Sequence, residues 1–369
     1  MWNKRTDRGI EWGDETIGGS IMERHPIPTS VPPAEPQIPL SPKPFRKSRH
    51  FGAFLICCAL FVAGFALTAL WRNADGAFGQ KGEQSSLLEE TEPPLPNTPT
   101  EPITPEQAVI PEGATPIVTY DLSYLEKGGA YINNETFYSP NINQLLGINV
   151  ATAPTQEPLV LVLHTHTSEG YLSENADYLL GDLGDVTYTQ DESRNMLAVG
   201  KAFVAALNQN GITAIHCTVM HDEAGLSGSY ERAAASIQFF LEHYPSIRYV
   251  VDLHRDAILT ASGEYVRAAT EADGKSVAQI LPVVGSNAGG WEHDNWEENL
   301  ALALQMREIL NQNGSALCRP VMLRNSTYNQ EMAPYAILLE IGTGANSIDE
   351  AIAAATLAGE AFAKVILSH

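Results

Sequence analysis

Beyond about residue 117 the chain alternates between two hydrophobic patterns. LVLVLHTH (159–166) is a continuous apolar run that turns polar only at its end, which predicts a strand buried on both faces of a parallel sheet. NMLAVGKAFVAALNQNG (195–211) carries apolar residues at helical spacing and a glycine stop, and TAIHCTV (213–219) predicts the next strand. SYERAAASIQFFLEHYP (229–245) predicts a helix ended by proline, followed by a strand at RYVVDLH (248–254). A further strand is expected at VAQILPVVG (277–285), then a helix over 294–314 with Asp294 as N-cap, and a last strand at YAILLEIG (335–342). The closing helix (347–367) opens with capping-box spacing, Ser347 to Glu350. Such alternation predicts an α/β fold: a mostly parallel sheet flanked by helices on both faces.

Upstream the pattern is different. FGAFLICCALFVAGFALTALW (51–71) holds no charge and as a helix would extend ~31 Å, enough for a bilayer core. Its end is not a clean small-residue cleavage site, so a retained single transmembrane anchor is expected. Arg46, Lys47 and Arg49 precede it and only Arg72 follows closely, which puts a Pro-rich segment (1–50) in the cytoplasm and residues 117–369 outside, as an extracytoplasmic catalytic domain. Between them, 72–116 reads as a disordered Pro/Thr/Glu linker.

Composition narrows the function. At 369 residues, 44% hydrophobic and 18% charged, the chain can bury a sizeable core. Against 44 acidic residues it has 22 basic ones, a formal charge of −22, which argues against nucleic acid as the main ligand. Two of its four cysteines lie in the apolar run, leaving neither a disulfide framework nor a thiolate zinc site.

The chemistry gathers at strand ends, where ligands bind in open α/β sheets. Three apolar strands end in ionisable groups: His164 and His166 with Glu169, then His254-Arg255-Asp256, then Glu340. Imidazoles and a carboxylate suit zinc, and His166, Glu169 and His254 could supply the three ligands of a catalytic site with one open position. Glu340 is the expected general base and acid. His164, two residues before His166, should point the same way and could ligate or support a ligand. Asp256 is read as orienting an imidazole, Arg255 as binding a substrate carboxylate, and Asn287, on a Gly-rich loop, as a substrate contact.

HTHTSEGY (164–171), SYERAAASI (229–237), VVDLHRDAI (250–258), VGSNAGG (284–290), DNWEENLALAL (294–304), YNQEMAP (328–334) and LLEIGTGANSIDEA (338–351) resemble the stage II sporulation protein P family of peptidoglycan hydrolases. That family is similar to the zinc-dependent N-acetylmuramoyl-L-alanine amidases. The resemblance implies removal of stem peptides from glycan during forespore engulfment, with a second, endopeptidase action on cross-links. It also implies a place between the membranes of the sporulating cell, and sporulation proteins D and M as partners. By position it carries His166, His254 and Glu340 into the amidase pattern. The amidase Glu ligand lies farther along the chain, nearest Asp191 or Glu192 in this sequence, so Glu169 competes with them for that role. A peptidoglycan-binding scaffold without metal, or a zinc peptidase acting on stem peptides, are the alternative functions.

Overall fold

The computed structural model describes residues 110–123, 131–312 and 315–368. The expected cytoplasmic segment (1–50), the span (51–71) and most of the linker (72–116) lie outside the described residues. Among those described, no helix is long and apolar enough to cross a membrane. The first strand, β1 (Ala114–Tyr120), opens inside the segment expected as linker.

A seven-stranded sheet organises the rest. Its strands are β2 (Ile132–Asn134), β3 (Val160–Leu163), β5 (Ala214–His216), β6 (Tyr249–Asp256), β9 (Ile280–Val284), β10 (Val321–Leu323) and β11 (Tyr335–Thr343), in the order β2-β10-β9-β11-β6-β3-β5. A smaller sheet is formed by β1, β4 (Tyr178–Leu180), β7 (Tyr265–Ala272) and β8 (Lys275–Ala278), in the order β4-β1-β7-β8.

The expectation of a mostly parallel sheet is corrected: both sheets are mixed. In the larger one β9 and β11 run antiparallel; in the smaller one β1/β4 and β7/β8 do. The reason lies in the connections, because a parallel return needs a long crossover, usually a helix. β7 and β8 are instead joined by a tight turn with Asp273 and Gly274 at positive φ (50° and 73°). From β10 the chain returns to β11 through the loop 324–334, which holds only one turn of 3₁₀ helix.

Helices α3 (Met196–Gln209), α5 (Trp296–Leu310) and α6 (Ile348–Leu367) share one core with the large sheet. Two short helices, α1 (Ile142–Leu146) and α2 (Leu183–Thr187), were not legible in the hydrophobic pattern. The α5 N-cap is Asn295 rather than Asp294, and its side chain makes no capping bond. α6 begins as expected, with Ser347 and Glu350 in a reciprocal capping box.

Strand alternation then divides the sheet into faces. Tyr249, Val251 and Leu253 of β6 and Ile337, Leu339 and Ile341 of β11 enter the helical core with Phe203 and Phe362. Their alternate neighbours, Asp252, His254, Leu338 and Glu340, therefore face the other way. On that second face α4 (Ser229–His243) packs against β3.

Candidate active site

Glu340 on β11 stands directly opposite His254 on β6, the two strands running parallel. Just past Glu340 the pairing slips in a β-bulge, where Gly342 sits at φ 67°. A Cβ at Gly342 would come within 2.7 Å of Asn346 Oδ1 and 2.8 Å of Ala278 Cβ, so glycine is required where the strand changes direction.

Between these strands, the turn after β3 and α4 lies a cavity of about 270 Å³. His166, Glu169, His254, Asp256 and Glu340 all line it, so five of the eight expected site residues converge. The imidazoles of His166 and His254 lie 5.2 Å apart, ring centre to ring centre, nearly perpendicular. Glu169 is buried, and its Oε2 lies 3.5 Å from His254 Nδ1. Asp191 and Glu192 lie on an exposed turn, with Asp191 bonded locally to Ser193 and Arg194.

The remaining expectations are corrected. His164 does not point with His166: β3 ends at Leu163, so strand alternation no longer governs the next residues. It is buried beneath α3, where the Leu253 carbonyl accepts from its Nδ1–H (3.2 Å) and its Nε2 accepts from His216 Nε2–H (2.8 Å). Burial holds His164 well below the usual histidine pKa and His216 at about 4, so both rings are neutral. Gly200 of α3 passes so close that a Cβ there would overlap both rings.

Arg255, next to His254, necessarily points to the opposite side. It is buried, its Nε donates to the Gly170 carbonyl (3.2 Å), and its guanidinium lies 4.8 Å over the Tyr188 ring. Its backbone N–H, however, donates to Glu169 Oε2 (3.2 Å). Asn287 does not line the cavity; its side-chain oxygen accepts from the Tyr138 hydroxyl (2.7 Å). Asp256 accepts from Arg319 (2.8 Å) and does not orient an imidazole.

That orienting position belongs to Asp252, which the sequence reading missed. Its Oδ1 lies 3.0 Å from His254 Nε2, off the hydrogen-bond axis, and Thr165 anchors it through N–H and Oγ1–H (2.8 and 2.6 Å). Two residues before His254 on one strand, it shares that residue's face, as Asp256 does, so alternation could have nominated either. Tyr230 was also missed: its ring stacks 6.5 Å from His254 and meets His166 edge-on at 5.7 Å. Ser229 is a third. Its hydroxyl donates to the Leu226 carbonyl, so at 3.3 Å it accepts from His166 Nδ1–H, leaving the His166 Nε2 lone pair unprotonated.

The charges are strongly coupled. Burial alone would lower the His254 pKa, but the carboxylates of Asp252 and Glu169 hold it well above the usual value. Burial would raise Glu169, yet His254 and Arg255 bring it below the usual range. Glu340 is pushed up to about 8, first by burial and then by the charges of Glu169 and Asp256. Its Oε2 is buried without a hydrogen-bond partner.

Among the described residues, no three His, Cys, Asp or Glu side chains are arranged so that, as they stand, they could hold a metal ion. The chemistry of the set nevertheless suits one. Two ligands at ~2.1 Å on a tetrahedral zinc lie ~3.4 Å apart, close to the 3.5 Å between His254 Nδ1 and Glu169 Oε2. With a proton on Nε2 toward Asp252, those two lone-pair atoms face each other and need a cation or a second proton between them. His166 Nε2 would have to turn toward them to complete the set.

Set against known proteins, residues 89–365 match the family model for stage II sporulation protein P. Stage II sporulation protein P of Bacillus subtilis (strain 168) is 27% identical over 218 residues, covering 56% of this chain and 51% of that protein. The chain thus spans about half the length of this curated relative. Among solved structures, N-acetylmuramoyl-L-alanine amidase AmiC2 of Nostoc punctiforme overlaps 57% of this chain and 96% of its own, at 19% identity and a TM-score of 0.31. The N-acetylmuramoyl-L-alanine amidase from Clostridium difficile 630 overlaps 58% and 97%, at 15% identity and a TM-score of 0.33.

Proposed function

The chain belongs to the stage II sporulation protein P family, and from that premise we propose that it is a peptidoglycan hydrolase of sporulation, a zinc-dependent N-acetylmuramoyl-L-alanine amidase held at the membrane by the apolar run 51–71. The observation that carries this reading is the meeting of His166, Glu169, His254 and Glu340 in one cavity.

His166 Nε2, Glu169 Oε2 and His254 Nδ1 would hold the metal. Bound zinc would polarise the scissile carbonyl and lower the pKa of a water molecule. The Arg255 N–H holds Glu169 in place, and Asp252, 3.0 Å from His254 Nε2, would orient that ring once the Nε2–H is aimed at it. Glu340, next to His254 in register, would be the proton carrier: ionised, once a bound cation's positive charge offsets the burial that keeps it neutral, it could take a proton from water and return it to the leaving amine. Without metal, burial pushes its carboxyl up to about 8, and the charge of a bound cation would bring it down from there. Tyr230 closes one side of the cavity and limits the access of bulk water to that proton.

Sporulation proteins D and M are proposed partners, and the space between the membranes of the sporulating cell the proposed location. The test is mass spectrometry of sacculi digested with the full-length protein, with and without chelator. Peptide-free glycan released only when zinc is present supports the amidase. Shortened stems still attached to glycan would make it a peptidase, and no product at all would leave the scaffold.

A further inference from the structure

β3 ends at Leu163, so the turn that follows, which carries His166 and Glu169, leaves the backbone ladder and must be held by other partners. Those partners come from the two strands that flank β3, with β6 on one side and β5 on the other. From β6, the Asp252 carboxylate accepts from both the N–H and the hydroxyl of Thr165 (2.8 and 2.6 Å). From the loop after β5, the Asp222 carboxylate accepts from both the N–H and the hydroxyl of Ser168. The Ser168 nitrogen lies 3.0 Å from Oδ2 and 3.2 Å from Oδ1. His166 thus stands between two clamps of the same kind, one on each side of β3.

The loop that carries Asp222 is itself braced. His221 is buried; its Nδ1–H donates to the His164 carbonyl (2.7 Å) and its Nε2 accepts from the Ser236 hydroxyl (2.8 Å). The His221 N–H donates to the Thr167 hydroxyl (3.3 Å). Arg232 of α4 donates to the carbonyls of His221, Gly225 (2.5 Å) and Ser227 (3.2 Å). The same helix begins with Ser229 and Tyr230, which meet His166 and His254. Asp222 is buried, turns both its oxygens to Ser168 and does not line the cavity, so it is neither a ligand nor a substrate contact.

We propose that Asp222 is a positioning residue: through Ser168 it fixes the turn that sets His166 and Glu169 against His254. The turn closes on itself, Glu169 N–H donating to the His166 carbonyl (3.1 Å), so both side chains move with Ser168 between them. Glu169 is tied a second time, by the Arg255 N–H (3.2 Å). The His166 ring is held by the Ser229 hydroxyl in a longer bond of 3.3 Å, so freeing Ser168 loosens the His166 end first. The bonds from Ser168 are charge-assisted because their acceptor is a carboxylate. Asp222→Asn keeps the shape of the side chain and removes that assistance.

The proposal rests on the metal-site reading for what the turn holds, not for how the turn is held. The test is titration of the full-length protein with cobalt(II), whose visible absorption reports ligand geometry, beside NMR of the metal-free, histidine-labelled protein. Asp222→Asn should weaken cobalt binding ~10-fold and alter the absorption. Ser168→Ala should act in the same direction, and Ser168→Thr, which keeps the hydroxyl, should restore most of the binding. Gly211→Ala, strained far along the chain from this turn, is the control for general loss of stability. Unaltered cobalt binding in Asp222→Asn overturns the proposal, as does equal weakening in Gly211→Ala at the same melting temperature. If the unaltered protein takes up no cobalt, the metal reading fails and the His166 ring signals decide: they should move in Asp222→Asn and stay in place in Gly211→Ala, and signals that stay in both overturn the positioning role.

Discussion

His254 and Glu340 are direct cross-strand neighbours that both keep their protons but differ in charge: the imidazole is held positive by the carboxylates of Asp252 and Glu169, and the carboxyl is held neutral by burial. Register on two parallel strands makes them a pair, and their separate surroundings divide the work between them.

If Glu340 carries the proton, Glu340→Gln should lower muropeptide release by ~10²-fold or more while leaving the circular dichroism spectrum unchanged. His166→Ala and His254→Ala should do the same. Wild-type rates in all three variants would show that the centre is misassigned.

Ligand identity is tested by zinc titration. Glu169→Gln should weaken zinc binding far more than Glu192→Gln, since Glu169 faces His254 in the cavity and Glu192 lies on an exposed turn. Asp252→Asn should weaken it ~10–100-fold by releasing the His254 ring. An Asp256→Asn protein that loses more zinc than Asp252→Asn would reverse the orienting assignment.

In metal-free protein Glu340 makes stability depend on pH, with a definite sign. Its carboxyl moves from the usual 4.5 to about 8 on folding. Below the lower value it is neutral in both states. Between the two values only the unfolded chain ionises, so its contribution to stability is lost as pH rises, and above about 8 the loss is complete. Glu340→Gln should therefore melt several degrees above the unaltered protein at pH 8.5, with the gap closing toward pH 4.5. A gap that is constant with pH would contradict a buried, neutral Glu340.

Gly200→Ala should destabilise by ~1–3 kcal/mol, because the new methyl meets the paired rings of His164 and His216 under α3. Thermal melting measures this. Gly211→Ala is a separate case, strained by its positive φ (81°) but with open space around the added methyl.

Much of the scaffold was legible because its signals are local. Apolar runs and helical spacing located β3, β6, β11, α3, α4 and α6 to within a few residues, and the Ser347–Glu350 spacing marked the start of α6. The short strands of the smaller sheet carry mixed residues such as YVRAATEA, whose burial comes from neighbours far away in sequence. Alternation also constrains neighbours on one strand. His254 and Arg255, being adjacent on a strand, cannot serve one site with both side chains, and Arg255 turns instead to Gly170 and Tyr188.

The sequence by itself determined which stretches become strands and helices and which of them end in imidazoles and carboxylates, since burial period and side-chain chemistry belong to the local chain. Only the tertiary structure decided the direction of β9, whose ILPVV reads the same run either way, and the choice of Asp252 over Asp256 beside His254. It also decided that His164 leaves the site for His216. Each of these depends on contacts between segments distant in sequence, and the free energy of such a contact is not set by either segment alone.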